Sequence, residues 1–210
     1  MRAIFALIVG LSVLVGFGCE ENLDPKTPVG ALHTLRDAVL ARDVPALLAA
    51  SSKATHDHLA ALHALLKEQR VAFDERYPEE HRGPAKVAYP KGALEATDSA
   101  ALFAALVQPE LEKLEGGEGL KYGLTAYGSP AVRDDRATVP THSGESYEFV
   151  LEDGVWKTTA FERPLEQNLN RARLHQQTLE ENLKVFEELK RREAEKKAKE
   201  AAEAEPPATP

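Results

Sequence analysis

The stretch S146-YEFVLE-D153-G154-VWKTTA-F161 decides the fold. Asp153-Gly154 lies between two runs rich in β-branched and aromatic residues, which predicts a β-hairpin closed by a two-residue turn. That loop pairs Glu152 with Val155, Leu151 with Trp156, Phe149 with Thr158 and Tyr147 with Ala160. Tyr147, Phe149, Leu151, Trp156 and Ala160 then share one face. Glu148, Glu152, Lys157 and Thr159 share the other, with Val150 as the apolar exception. Slipping the register by one residue would expose the aromatic set, so the pattern enforces its own pairing. Trp156, the single tryptophan, faces the core in this register; a ligand-stacking role would need it at an open mouth instead.

Upstream, Leu120, Tyr122, Leu124 and Ala126 alternate as a second strand, and Ala137, Val139 and Thr141 as a third. Ser143-Gly144 marks the next turn. A two-residue loop there would turn Val139 away from the Tyr147 face, so a three- or five-residue loop or a bulge is expected. Pro140 implies that its strand lacks a partner on one side at that point.

Helices precede the sheet. Thr27-Pro28 is a start signal, a capping hydroxyl followed by proline at the first position. Asp43 caps a second, short helix with Leu47 and Leu48. A third runs from about Ala54 to Arg76, with Leu59, Leu62, Leu66 and Phe73 near helical spacing, and Tyr77-Pro78 ends it. Residues 78–96 read mostly as loop, with Val87-Ala88-Tyr89 as a short edge strand. Thr97 or Asp98 starts another helix that Pro109 breaks, with Glu110 to Glu115 adding a turn. Gly116, Gly117 and Gly119 mark the change from helix to sheet.

From Pro164 onward a long helix is expected. Leu165, Leu169, Ala172, Gln176, Leu179, Leu183 and Phe186 follow a near-heptad seam. Three heptads with a glutamine in the seam make a marginal dimer, so docking onto the domain competes with a coiled coil. Leu174 and Leu189 lie off the seam, widening the apolar face toward docking. Beyond Leu189 the helix is charge and alanine, with Glu187–Arg191, Glu188–Arg192, Glu193–Lys197 and Glu195–Lys199 at the favoured four-residue spacing. Pro206-Pro207 ends it.

The chain opens MRAIFALIVGLSVLVGFGC. Arg2 precedes an apolar or small run, Ala3 to Gly18, that is short of the roughly 20 residues a spanning helix needs. A basic start, a short apolar stretch and small residues at its end form a secretory signal peptide. Cys19, the single cysteine, closes it. This segment resembles the lipobox of bacterial lipoproteins, in which the cysteine thiol receives a diacylglyceryl group before cleavage. Gly18 suits the position before the cysteine, while Gly16 replaces the usual leucine and Phe17 is bulky for its place. Ordinary cleavage after Gly16-x-Gly18 would instead leave Cys19 a free thiol. A lone cysteine cannot form an internal disulfide, and lipidation accounts for both its solitude and its place. The resemblance implies about three acyl chains, a firm anchor where one chain alone binds reversibly. Glu20, where aspartate often signals inner-membrane retention, implies sorting to the outer membrane, facing the periplasm.

With 34 acidic against 26 basic side chains and a net charge of −8, the chain is a poor candidate for nucleic acid. No Gly-rich phosphate loop and no G-x-S-x-G sequence is present. Neither a cofactor nor a metal is expected. His56, His58 and His63 cluster on the third helix, but His56 and His63 stand two turns apart, about 10 Å along the axis, unlike the four-residue spacing of helical metal ligands. Asp134, Asp135 and Arg136 form a charged turn, available to a ligand, though aspartate is a common turn former.

Two segments carry a further resemblance: PVGALHTLRDAVLARDVPALLAASS, Pro28 to Ser52, and RATVPTHSGESYEFVLEDGVWKTTAF, Arg136 to Phe161. Together they resemble the nuclear-transport-factor-2-like superfamily, also described as cystatin-like, in which a curved antiparallel sheet wraps helices as a cone. The resemblance implies an α+β fold with room for a pocket, not an activity. Some members are isomerases or hydratases that use an Asp or His base and a Tyr acid. Tyr122, Tyr147, Asp98 and His142 are available, yet no spacing ties them together, and a core tyrosine is the commoner finding for Tyr147.

The expected organisation is a signal peptide over 1–18, a lipidated linker over 19–27, an α+β domain over 28–163, a charged helix over 164–205 and a disordered tail over 206–210. The expected function is that of a non-enzymatic, lipid-anchored envelope protein, monomer or weak homodimer, binding a partner protein or a small apolar ligand. An isomerase- or hydratase-type enzyme and a helical spacer are the alternatives.

Overall fold

The computed structural model describes residues 24–114 and 117–204. The signal peptide, Cys19, the first part of the linker and the terminal tail lie outside the described residues. The fold is α+β. Six helices, α1 (Pro28–Ala41), α2 (Val44–Ala50), α3 (Lys53–Glu75), α4 (Glu79–Lys86), α5 (Ser99–Lys113) and α6 (Glu118–Gly123), precede a sheet. The strands are β1 (Ala131–Arg133), β2 (Arg136–Pro140), β3 (Ser146–Glu152) and β4 (Val155–Thr158), and α7 (Glu162–Ala204) closes the chain. The sheet is an open antiparallel meander in the order β1-β2-β3-β4.

The hairpin has the expected register: Phe149 opposes Thr158, Leu151 opposes Trp156 and Glu152 opposes Val155. Asp153 and Gly154 both take positive φ, 50° and 78°, the conformation that matches the strands' right-handed twist. Phe149, Trp156 and Thr158 are buried, while Leu151 is 38% exposed at the turn end and Ala160 is exposed. Val139 opposes Tyr147 and Pro140 opposes Ser146, leaving residues 141–145 as the five-residue alternative. The Thr141 N–H donates to the Glu145 carbonyl across it at 2.9 Å.

α1 lies across the sheet, with Leu32, Leu35, Ala137, Val139, Phe149 and Trp156 in one apolar core. Hydroxyl and carboxylate caps set the helix starts. Thr27, Asp43, Ser52 and Asp98 each accept a hydrogen bond from a backbone N–H in the first turn of α1, α2, α3 and α5, satisfying donors that have no partner inside the helix.

Four local expectations are corrected. Residues 120–126 are not a strand; Glu118–Gly123 is helical, and only Ala126 bridges to the sheet, opposite Thr141. Leu120 and Leu124 are four apart, so alternation and helical spacing coincide over this short run, and Leu124 packs inward while Tyr122 swings out. Gly117 precedes this helix and Gly119 lies within it, while Gly116 falls outside the described residues; the strand preceding β2 is Ala131–Arg133 instead. Residues 87–89 form a turn, not a strand, after helix α4; folded over, Tyr89 reaches the ring of Phe73 at 5.9 Å. Pro109 does not break α5, which continues to Lys113 because Leu111 is drawn into the core.

α7 docks on the domain. Ser52 at the start of α3 bonds Glu162 at the start of α7, and Arg76 past the end of α3 bonds Glu187, so the two helices run parallel. Leu165, Leu169, Ala172, Leu179 and Leu183 of the seam are buried. Leu174 and Leu189 remain exposed, at 61% and 49%, so the docked face is the narrow seam rather than the widened one. Glu187 turns to Arg76 rather than Arg191, which pairs with Glu188; the Glu188–Arg192 pair forms as expected.

Candidate binding groove

The end of α3, α4 and the turn after it, together with α7, build an apolar groove on the surface. Tyr77, just past α3, is buried, and Asn182 Nδ2 donates to its hydroxyl at 3.0 Å. Arg82 Nε donates to the Tyr77 carbonyl at 2.8 Å, and Lys86 pairs with Asp74 at 3.0 Å. These bonds fold α4 back over the end of α3. The rings then form a chain of edge-on contacts: Phe73–Tyr77 at 5.3 Å, Phe73–Tyr89 at 5.9 Å, Tyr77–Phe186 at 5.0 Å and Tyr89–His175 at 5.0 Å. His81 stacks on Phe186 with planes 15° apart.

Between these rings runs a groove of about 450 Å³, within the size range of small-molecule sites. Past Ala88, Tyr89 and His175 it meets a smaller apolar hollow of about 30 Å³, walled by Leu62, Leu66, Ala93 and Leu106, with Asn168 and Arg171 at its margin. Burial and the neighbouring Tyr77 raise the Tyr89 pKa to about 12, so its hydroxyl stays protonated at neutral pH. The groove's walls are largely aromatic, suited to desolvating a small apolar molecule.

Of Asp98, Tyr122, His142 and Tyr147, only Tyr122 and His142 are brought into ring contact. Asp98 is engaged as the cap of α5. Tyr122 stacks on His142 at 4.3 Å and Tyr127 meets the same ring edge-on at 5.0 Å, but Tyr122, Tyr127 and His142 are all exposed. Tyr147 bonds Glu145 at 3.4 Å, and burial followed by the Glu145 charge raises its pKa. On α3, His56 is exposed, His58 is half-buried, and His63 Nε2 lies 3.1 Å from the Ala96 carbonyl. No cluster of three metal-ligating side chains occurs among the described residues. Asp134, Asp135 and Arg136 do line a hollow with Arg133, Thr138 and Glu148. At about 550 Å³ it exceeds the groove, and it differs from it in chemistry, its lining carrying both acidic and basic side chains where the groove's is aromatic.

Sequence reasoning missed the groove because its walls come from two stretches, residues 73–89 and 175–186, that lie far apart in the chain. One signal was present: Asn168, Arg171, Ala172 and His175 follow the i, i+3, i+4, i+7 spacing of a single helical stripe.

Compared with known proteins, the chain matches no family model, no curated protein and no solved structure. Among the described residues no helix is long and apolar enough to cross a membrane.

Proposed function

We propose that this protein is a lipid-anchored component of a bacterial envelope, held through Cys19 at the outer membrane facing the periplasm, that binds a small apolar ligand without transforming it. The observation that carries the binding reading is the aromatic groove between α3, α4 and α7. Its walls combine a volume of ligand size with packed aromatic rings, one of which, Tyr77, has its hydroxyl engaged by Asn182. The non-enzymatic reading is supported by the dispersal of Asp98, His142 and Tyr147 over separate elements. The likeness to nuclear-transport-factor-2-like cones belongs to the same proposal, supported by the antiparallel meander with α1 across it. In this protein that interval is filled by Leu32, Val139, Phe149 and Trp156, so the ligand enters beside the α3–α7 seam.

Native mass spectrometry of the chain purified gently from its own host tests the binding reading. A bound molecule of defined mass is expected, and Ala88→Trp, at an exposed residue lining both hollows, should remove it. A chain with no bound small molecule would sink this reading and move the bet to a protein partner. For the anchor, Cys19→Ala should shift the protein from the membrane to the soluble fraction of the envelope. Retention of that variant in the membrane would refute lipidation at Cys19.

A further inference from the structure

The groove's charge distribution narrows the chemistry of its ligand. The chain carries 34 acidic side chains, yet among the described residues no carboxylate lines either the groove or the smaller hollow. The nearby carboxylates Asp74 and Glu187 are each engaged by their own base, Lys86 and Arg76. The ionisable side chains that do line these spaces are tyrosines, His81, His175 and Arg171. Arg171 is exposed at the margin of the hollow and has no ion-pair or hydrogen-bond partner among the described residues. Asn168 and His175 flank it, one helical turn away on either side along the same stripe of α7. By contrast Arg173, two residues on, bonds Asn170 away from the hollow.

We infer that the ligand is an anionic amphiphile, a carboxylate joined to a ring or short chain. Its acid group would meet Arg171, Asn168 and His175, and its apolar part would run past Tyr89 into the groove between Phe73 and Phe186. This rests on the groove being a ligand site, as proposed above. A guanidinium fork matches a carboxylate with two parallel N–H donors. An apolar pocket beside it supplies affinity that the exposed ion pair alone would not. A cationic ligand would meet Arg171 with no carboxylate in the lining to offset it.

Ligand-observed saturation-transfer NMR on the full chain in lipid nanodiscs, with empty nanodiscs as the partition control, tests this. The probes are 3-phenylpropionate and its neutral counterpart 3-phenylpropan-1-ol. The acid should bind the wild type more tightly than the alcohol. Arg171→Gln should weaken the acid roughly tenfold, the scale of one charge-assisted hydrogen bond, and leave the alcohol unchanged. Arg173→Gln should change neither. Equal binding of acid and alcohol, or an acid affinity indifferent to Arg171→Gln, would overturn the anionic ligand while leaving the groove a binding site. If neither probe bound the wild type, both the anionic ligand and the groove reading would fall.

Discussion

Gln69 Nε2 donates to the Ala172 carbonyl at 2.7 Å inside the α3–α7 seam, and Gln69 is fully buried. Its own carbonyl oxygen has no partner among the described residues. One amide therefore joins the two longest helices while leaving an acceptor unsatisfied.

That arrangement separates two substitutions at the same site. Gln69→Leu removes the cross-helix bond and the orphaned acceptor together, so a net change within about 1 kcal/mol is expected. Gln69→Glu puts a carboxylate into an apolar seam and should cost about 3 kcal/mol or more at neutral pH. Urea unfolding of the pair checks this; a Glu variant as stable as the Leu variant would mean that water reaches the seam.

The docked and free parts of α7 should respond differently to deletion. Leu179 and Leu183 are 3% and 2% exposed, so either change to Ala should cost about 2–5 kcal/mol. Stopping the chain after Lys190 removes residues 191–201, all of them exposed, with the segment beyond, and should leave the unfolding midpoint within a degree or two. A large loss of stability on that truncation would place the charged stretch in the core's energetics rather than beyond it.

At the hairpin, Gly154 sits at φ 78° with open space around its Cα. Gly154→Val is expected to cost about 1–2 kcal/mol through backbone strain alone, whereas Gly154→Asn should be nearly tolerated. Thermal unfolding of the two variants distinguishes them, and equal losses would point to a contact rather than to the conformation.

Tyr89 gives stability a pH dependence at the alkaline end. Its folded pKa of about 12 lies above the ordinary value of 10.0, chiefly through burial and then through Tyr77. The folded state therefore favours the protonated ring. The contribution is fully present below pH 10.0 and is lost as pH rises toward 12. Because the ring is only partly buried, the loss should be about 1 kcal/mol. Denaturant midpoints at pH 9 and pH 11.5 should differ less in Tyr89→Phe than in the wild type; an identical pH response would assign the effect to other groups.

At the sheet, Asp153-Gly154, the β-branched flanks and the inward Phe149 and Trp156 are local signals, because turn φ angles and a period of two need no distant partner. The caps at Thr27, Asp43 and Asp98 are legible for the same reason, each being a bond within three residues. The seam of α7 was equally visible, but its partner was not: a heptad offers the same leucines to a second helix or to α3. Tertiary packing chose α3, joined through Gln69, Ser52 and Arg76. It also decided the short ambiguous runs. Leu120 and Leu124 satisfy both periods, and burial of Leu124 selected the helix. The groove lay furthest from sequence reasoning. Tyr77, Tyr89, His175 and Phe186 mean little apart; only the fold-back of α4 over α3 and the docking of α7 bring their rings within contact and leave Arg171 without a carboxylate.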